Sequence, residues 1–158
     1  MKFIKWLDDN IEKVMLCTFL SVMVLVMGVQ VVARYVFNES LTWSEELTRY
    51  LFVWSAFISL PYTLKRGTAL RIDQLITMFP NGAKKVINIV GYLLMIVFFG
   101  FMLYNSFGVV QSAINSGQKS PALGLPMYMV QVASVVSFGL AIFRAVQLTF
   151  ISIKKQTN

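Results

Sequence analysis

Glu45, Glu46 and Arg49 form the sharpest cluster of ionisable side chains in the sequence. On a helix, a carboxylate three or four residues before a guanidinium shares a face with it, so either glutamate can pair with Arg49. Arg34, at the same level on the preceding apolar segment, can join them. Such a set offers a polar contact to a partner protein. Its plainer alternative is a self-neutralised helix end whose charges snorkel to the surface. Catalysis is a poor match. The 158 residues include no histidine and one cysteine, Cys17. That removes axial-histidine haem ligation, histidine-containing zinc sites, Ser-His and Cys-His nucleophiles and a dithiol pair within this chain. Cys17 lies in an apolar run and reads as a packing residue. Neither enzyme activity nor a cofactor of its own is expected.

The elements that hold these residues are set by where charge is missing. Hydrophobic residues make up 57% of the chain and charged ones 13%, far from the composition of a soluble domain. Residues 14–33, 86–118 and 120–143 contain no Asp, Glu, Lys or Arg. About 20 helical residues cross the roughly 30 Å hydrocarbon core of a bilayer, so the chain is read as an all-α integral membrane protein forming a single membrane domain, 1–158. Four transmembrane helices are expected at 14–37, 43–64, 84–115 and 126–153. The second must include its charged first turn to be long enough, with Thr42 or Ser44 as its N-cap. Pro126 suits the first turn of the fourth.

Two short interfacial amphipathic helices complete the expected architecture. In 1–13, Ile4, Leu7 and Ile11, with Val14 just beyond, recur at near-helical spacing with Lys5, Asp8, Asp9 and Glu12 between them. In 69–79, Ile72, Leu75, Ile76 and Phe79 share a face, and Pro80-Asn81-Gly82 stops the helix. Both read as helices lying on the bilayer surface. A cleaved signal peptide fits the start poorly, because the leader is acidic as well as basic and no A-x-A site follows.

Four spans place both termini on one side. That side would carry eleven of the fourteen Lys and Arg residues, leaving Arg34, Arg49 and Lys119 opposite. Both termini are therefore expected in the cytoplasm, and the net charge of +7 reflects orientation rather than nucleic-acid binding. No acidic residue sits in the middle of a span, so a coupling carboxylate is missing. Ala133, Ser137, Ala141 and Ala145 recur every four residues, as do Gly108, Ser112 and Ser116. Such stripes let helices approach closely, within this chain or against a partner. Trp43 and Trp54 read as interfacial or packing aromatics.

Trp43-Ser44-Glu45-Glu46-Leu47-Thr48-Arg49, followed by Leu51-Phe52-Val53-Trp54, resembles the W-S-E-E-x-x-R signature of the small membrane subunit, DctQ type, of TRAP (tripartite ATP-independent periplasmic) transporters. Arg66-Gly67-Thr68-Ala69-Leu70-Arg71-Ile72-Asp73 is similar to that family's R-x-G-x-H-[IL]-x-[IV]-D stretch, with Ala69 in place of the usual histidine. Ser120-Pro121-Ala122-Leu123-Gly124-Leu125-Pro126-Met127 is similar to its S-P-A-L-x-[IL]-P-M loop. The resemblance implies a scaffold subunit in the bacterial inner membrane, working beside a large multi-span permease of the elevator type and a periplasmic substrate-binding protein. Sodium is expected in the large subunit. The implied cargo is a carboxylated solute such as a C4-dicarboxylate or sialic acid, the sialic acid type being the narrower expectation. Arg34, Trp43, Glu45, Glu46, Arg49, Trp54, Arg71, Asp73, Pro121 and Pro126 become the residues expected at partner or interfacial contacts.

Two other classes compete. A self-sufficient homo-oligomeric four-helix channel or exporter is opposed by the missing mid-span acid. A membrane anchor for an enzyme complex remains open only without haem, since no histidine is present to ligate it.

Overall fold

Helices α1 (Lys2–Val36), α2 (Thr42–Lys65), α3 (Asn81–Ser116) and α4 (Tyr128–Lys154) follow one another along the chain in a computed structural model that describes residues 2–66 and 81–154. Among these residues there is no strand, only an isolated antiparallel bridge between Lys119 and Pro126. The packed pairs are α1 with α2, α2 with α4, and α4 with α3. The helices thus stand in the order α1-α2-α4-α3, a row with α2 and α4 inside and α1 and α3 at its edges.

Each described turn has a local cause. Asn38 adopts the left-handed conformation (φ 55°), and the Glu39 and Phe37 amides both donate to the Ala33 carbonyl at 3.1 Å. This satisfies the end of α1 and reverses the chain. Gly117 (φ 60°) ends α3 in the same way. Leu41, extended, is the N-cap of α2 and makes no side-chain cap bond. The expected cap therefore fails: Ser44 Oγ donates to the Leu41 carbonyl at 2.6 Å, so its hydroxyl is spent within the turn. Pro126 is not in the first turn of α4, as expected, but two residues before it, where its carbonyl accepts the Met129 amide at 3.1 Å.

The central seam shows why α4 carries small residues. Pro61 lies inside α2 and is buried. It has no N–H, so the carbonyl four residues earlier, on Phe57, loses its helical donor. Ser137 Oγ of α4 donates to that carbonyl. An unpaired carbonyl in a bilayer is costly, and a hydroxyl from the next helix removes the cost. Ser137, Ala133, Ala141 and Ala145 are all fully buried, which brings α4 close enough for the bond. Leu64, Phe99 and Ala141 then join α2, α3 and α4 in one apolar cluster, with Phe138 edge-on to Phe57 at 5.9 Å.

The N-terminal amphipathic segment is not a separate surface helix. It continues without a break into α1. No Gly or Pro interrupts the helix near residue 13, and Glu12, taken in the sequence as part of a water-facing side, is buried against α4. The expected surface helix at 69–79, with Arg71 and Asp73, lies outside the described residues.

Among the described residues, three stretches are long and apolar enough to cross a membrane: Asn10–Val36, Ile89–Ser116 and Tyr128–Phe150. The helix α2 is not among them. It is an inner member of the row and opens on charges, so protein neighbours replace part of the lipid contact that the others need. Large apolar side chains stand exposed along α1 and α3, among them Leu20, Val24, Leu25, Val29, Leu94, Val97, Phe101 and Phe107. A surface of this kind belongs in a bilayer.

Candidate functional site

The α1–α2 and α3–α4 connections lie at one end of the row, the loop end, and Glu46 joins them. The α3–α4 connection folds on itself. The Ser120 amide donates to the Leu125 carbonyl at 2.8 Å, the Gly124 amide to Ser120 at 3.0 Å and the Met127 amide to Gln118 at 3.0 Å. Gly124 (φ 67°) supplies the left-handed residue this tight return needs. The result leaves the Ala122 and Leu123 amides pointing at α2, where Glu46 Oε2 accepts both, at 3.0 and 2.9 Å. Its other oxygen, Oε1, accepts the Tyr50 hydroxyl at 2.7 Å. Leu123 N–H also reaches Ser120 Oγ at 3.1 Å. Glu46 and Ser120 are both buried. A carboxylate facing only donors is held by charge-assisted bonds, the stronger kind, so the S-P-A-L-G-L-P-M loop is clamped to the first turns of α2.

Glu45 has a different partner. Gln30 Nε2 of α1 donates to Glu45 Oε1 at 2.8 Å, and Gln30 is buried while Glu45 is exposed. The pair binds α1 to α2 near the same end. Arg49 is exposed, and the expected ion pair within the cluster does not form among the described residues: Glu46 is taken by the loop and Glu45 by Gln30. Arg34 is exposed on α1 and makes no bond to either glutamate there. Thr42, Glu45, Glu46, Arg49, Pro121 and Ala122 line an open cleft of about 380 Å³. Its rim therefore carries one free guanidinium and one carboxylate beside an exposed proline. Trp43 is exposed, Trp54 and Pro126 are half-buried, and neither tryptophan lines that cleft. The arrangement can present shape and charge to another protein. It contains no nucleophile with a base, and no group of three or more His, Cys, Asp or Glu side chains suited to a metal occurs among the described residues.

The other end of the row holds what the sequence reading missed. Arg144, deep in α4, donates from Nε to Glu12 Oε1 at 2.7 Å, with Nη2 at 2.6 Å from the same oxygen. Arg144 Nη1 donates to Gln147 at 2.8 Å. Both charged residues are buried. The signal was present: Arg144 stands in an apolar helix many residues from its end, and a charge there requires a partner. Counting it only toward membrane orientation hid the acid that answers it. Of the small-residue positions, Ala133, Ser137, Ala141 and Ala145 are buried in the α4 seam. Gly108 and Ser112 are exposed on α3 and face an open cleft instead.

A family model described as tripartite ATP-independent periplasmic transporters, DctQ component, matches residues 23–154. The isethionate TRAP transporter permease protein DctMQ of Oleidesulfovibrio alaskensis is 27% identical over 148 residues, 90% of this chain but only 23% of that protein. The ectoine TRAP transporter small permease protein TeaB of Halomonas elongata is 25% identical over 152 residues, covering 96% of this chain and 77% of the relative. The C4-dicarboxylate TRAP transporter small permease protein DctQ of Vibrio cholerae is 28% identical over 98 residues, 62% of this chain and 42% of that protein.

Proposed function

The chain belongs to the DctQ component family of tripartite ATP-independent periplasmic transporters, and from that premise we propose that it is the small, static subunit of a sodium-coupled importer of organic solutes. In this reading it stands in the bacterial inner membrane with both termini in the cytoplasm. A larger permease carries the cargo and the sodium ions and slides against it. A periplasmic binding protein delivers the cargo from the loop end.

The observation that carries the proposal is the clamped loop at Glu46. The segment that resembles the family's S-P-A-L loop and the one that resembles its W-S-E-E signature are distant in the sequence, yet two backbone amides of the first bind one carboxylate of the second. A loop held by its backbone keeps its shape while a neighbour moves. Its exposed rim, Arg49 with Glu45 and Pro121, is then free to meet the delivery protein or the permease. Rim charges of this kind act on encounter rate and orientation more than on final affinity.

The cargo belongs to the partners. Relatives named for isethionate, ectoine and C4-dicarboxylates match this chain at comparable identity, and nothing in its residues selects among such solutes. C4-dicarboxylates and sialic acids both fit the proposal.

The test is co-expression of the tagged chain with its larger permease, purification in mild detergent and sodium-dependent uptake in vesicles. The expected result is a stable complex whose uptake needs both chains and the binding protein. Recovery of this chain alone, as a homo-oligomer that conducts solute unaided, would overturn the proposal.

A further inference from the structure

The two edges of the row differ in one respect that lipid cannot tolerate equally. On α1 the outward hollow is lined by Val24, Leu25, Gly28, Val29, Val32, Ala33 and Phe37, and hydrocarbon tails can fill it. On α3, Asn105 lies close to the middle of the apolar stretch Ile89–Ser116 and is exposed. Its Nδ2 donates to the Phe101 carbonyl of its own helix at 2.7 Å, while Oδ1 receives no donor from the described residues. Beside it, between α3 and the start of α4, lies a cleft of about 550 Å³. Gly108, Ser112, Ser116 and Gln131 line it with Asn105. Gln131 Oε1 is buried and likewise without a hydrogen-bond partner. Two amide oxygens without donors among the described residues, one of them exposed at mid-span, are a cost that a polar partner surface removes.

We propose that this face of α3, centred on Asn105, Gly108 and Ser112, is where a transmembrane helix of the larger permease packs. The inference rests on the subunit reading above. The partner helix would bring a hydrogen-bond donor opposite Asn105 and small side chains opposite Gly108, where a Cβ would meet nothing within 4 Å. The isethionate relative favours that occupant: this chain covers only 23% of a polypeptide named a permease, so there the remainder is covalently continuous with the equivalent of this subunit. Within the row, α3 packs against α4, and its Asn105 flank lies open beside that seam.

Gly28 and Gly108 provide a matched pair for the test, since a Cβ added at either meets nothing within 4 Å in this subunit. Each is changed to leucine in the tagged chain, co-expressed with the permease and purified in mild detergent. In parallel, a photo-crosslinking amino acid is placed at Ser112 or at Val29. Gly108→Leu should lower permease recovery about tenfold, Gly28→Leu should leave it unchanged, and Ser112 alone should give an adduct with the permease. Thermal unfolding of the Gly108→Leu subunit at the wild-type temperature shows that the loss lies in docking. If that variant is unstable, the crosslinks decide alone. Permease adducts from Val29 and not Ser112, or a Ser112 adduct of twice this chain's mass, would overturn the proposal. An unaltered chain that recovers no permease would instead remove the subunit reading itself.

Discussion

Two buried glutamates tie this row of helices together, one at each end, and they do so by different chemistry. At the loop end, Glu46 takes two backbone amides and a tyrosine hydroxyl. At the end where α1 begins and α4 finishes, Glu12 takes a guanidinium on one oxygen and leaves Oε2 without a hydrogen bond. Backbone donors have fixed positions relative to one another, so a carboxylate that binds them sets the shape of a loop. An arginine reaches from a long side chain and sets only the distance between two helices. Where the surface must keep a defined form, the chain uses the first device. Where two apolar helices must merely stay together, it uses the second.

The difference in partner charge predicts the order of mutational effects. Removing one member of a buried ion pair leaves the other charged and unpaired, at about 3–5 kcal/mol. Arg144→Met should therefore give the largest loss of thermal stability in detergent, and replacing Glu12 and Arg144 together by leucine and methionine should recover much of it. If the double variant is no better than the single, the pair does more than hold distance, and the contrast with Glu46 fails.

Glu46→Ala should come next in global stability and first in local effect. Amide hydrogen exchange at Ala122 and Leu123 should accelerate on the order of tenfold, with α1 and α4 unchanged. Glu46→Gln keeps an acceptor oxygen and should fall between. Exchange that rises equally along all four helices would mean that the clamp carries the whole fold and not one loop.

Smaller again is Ser137→Ala, which returns the Phe57 carbonyl to its unpaired state beside Pro61 and should cost about 1 kcal/mol. A second change, Pro61→Ala, restores the helical N–H and should abolish that cost. The thermal midpoints of the four combinations measure the coupling directly. Least of all, Gln30→Leu should cost about 0.5 kcal/mol of stability, because its Glu45 partner is exposed and water can replace the amide.

How these features read in the sequence follows from their range. The end of α1 at Asn38 and of α3 at Gly117 depends on single residues and their neighbours. Spans follow from charge-free length, which one dimension is enough to record. The loop motif and the Trp43-Ser44-Glu45-Glu46 motif were each visible, but not that one is bound by the other. Glu12 reads as water-facing because its polar neighbours repeat at helical spacing, a pattern equally made by a face turned toward another helix. Spacing pairs Glu45 and Glu46 with Arg49 because proximity along the helix is all that it reports. Partners on α1 and in the loop outcompeted Arg49.

By itself, then, the sequence determined the class: helices too apolar for water, few acids, no histidine, and motifs enough to find the family. Each follows from composition and local order, which do not depend on which helices touch. Only the tertiary structure decided the order α1-α2-α4-α3, the two glutamates' partners, the use of Ser137 to cap the carbonyl that Pro61 orphans, and the exposure of Asn105. Those rest on contacts between residues distant in the chain. In a bilayer every face of an apolar helix is equally at home against lipid or protein, so the pattern of apolar residues does not say which face finds which neighbour.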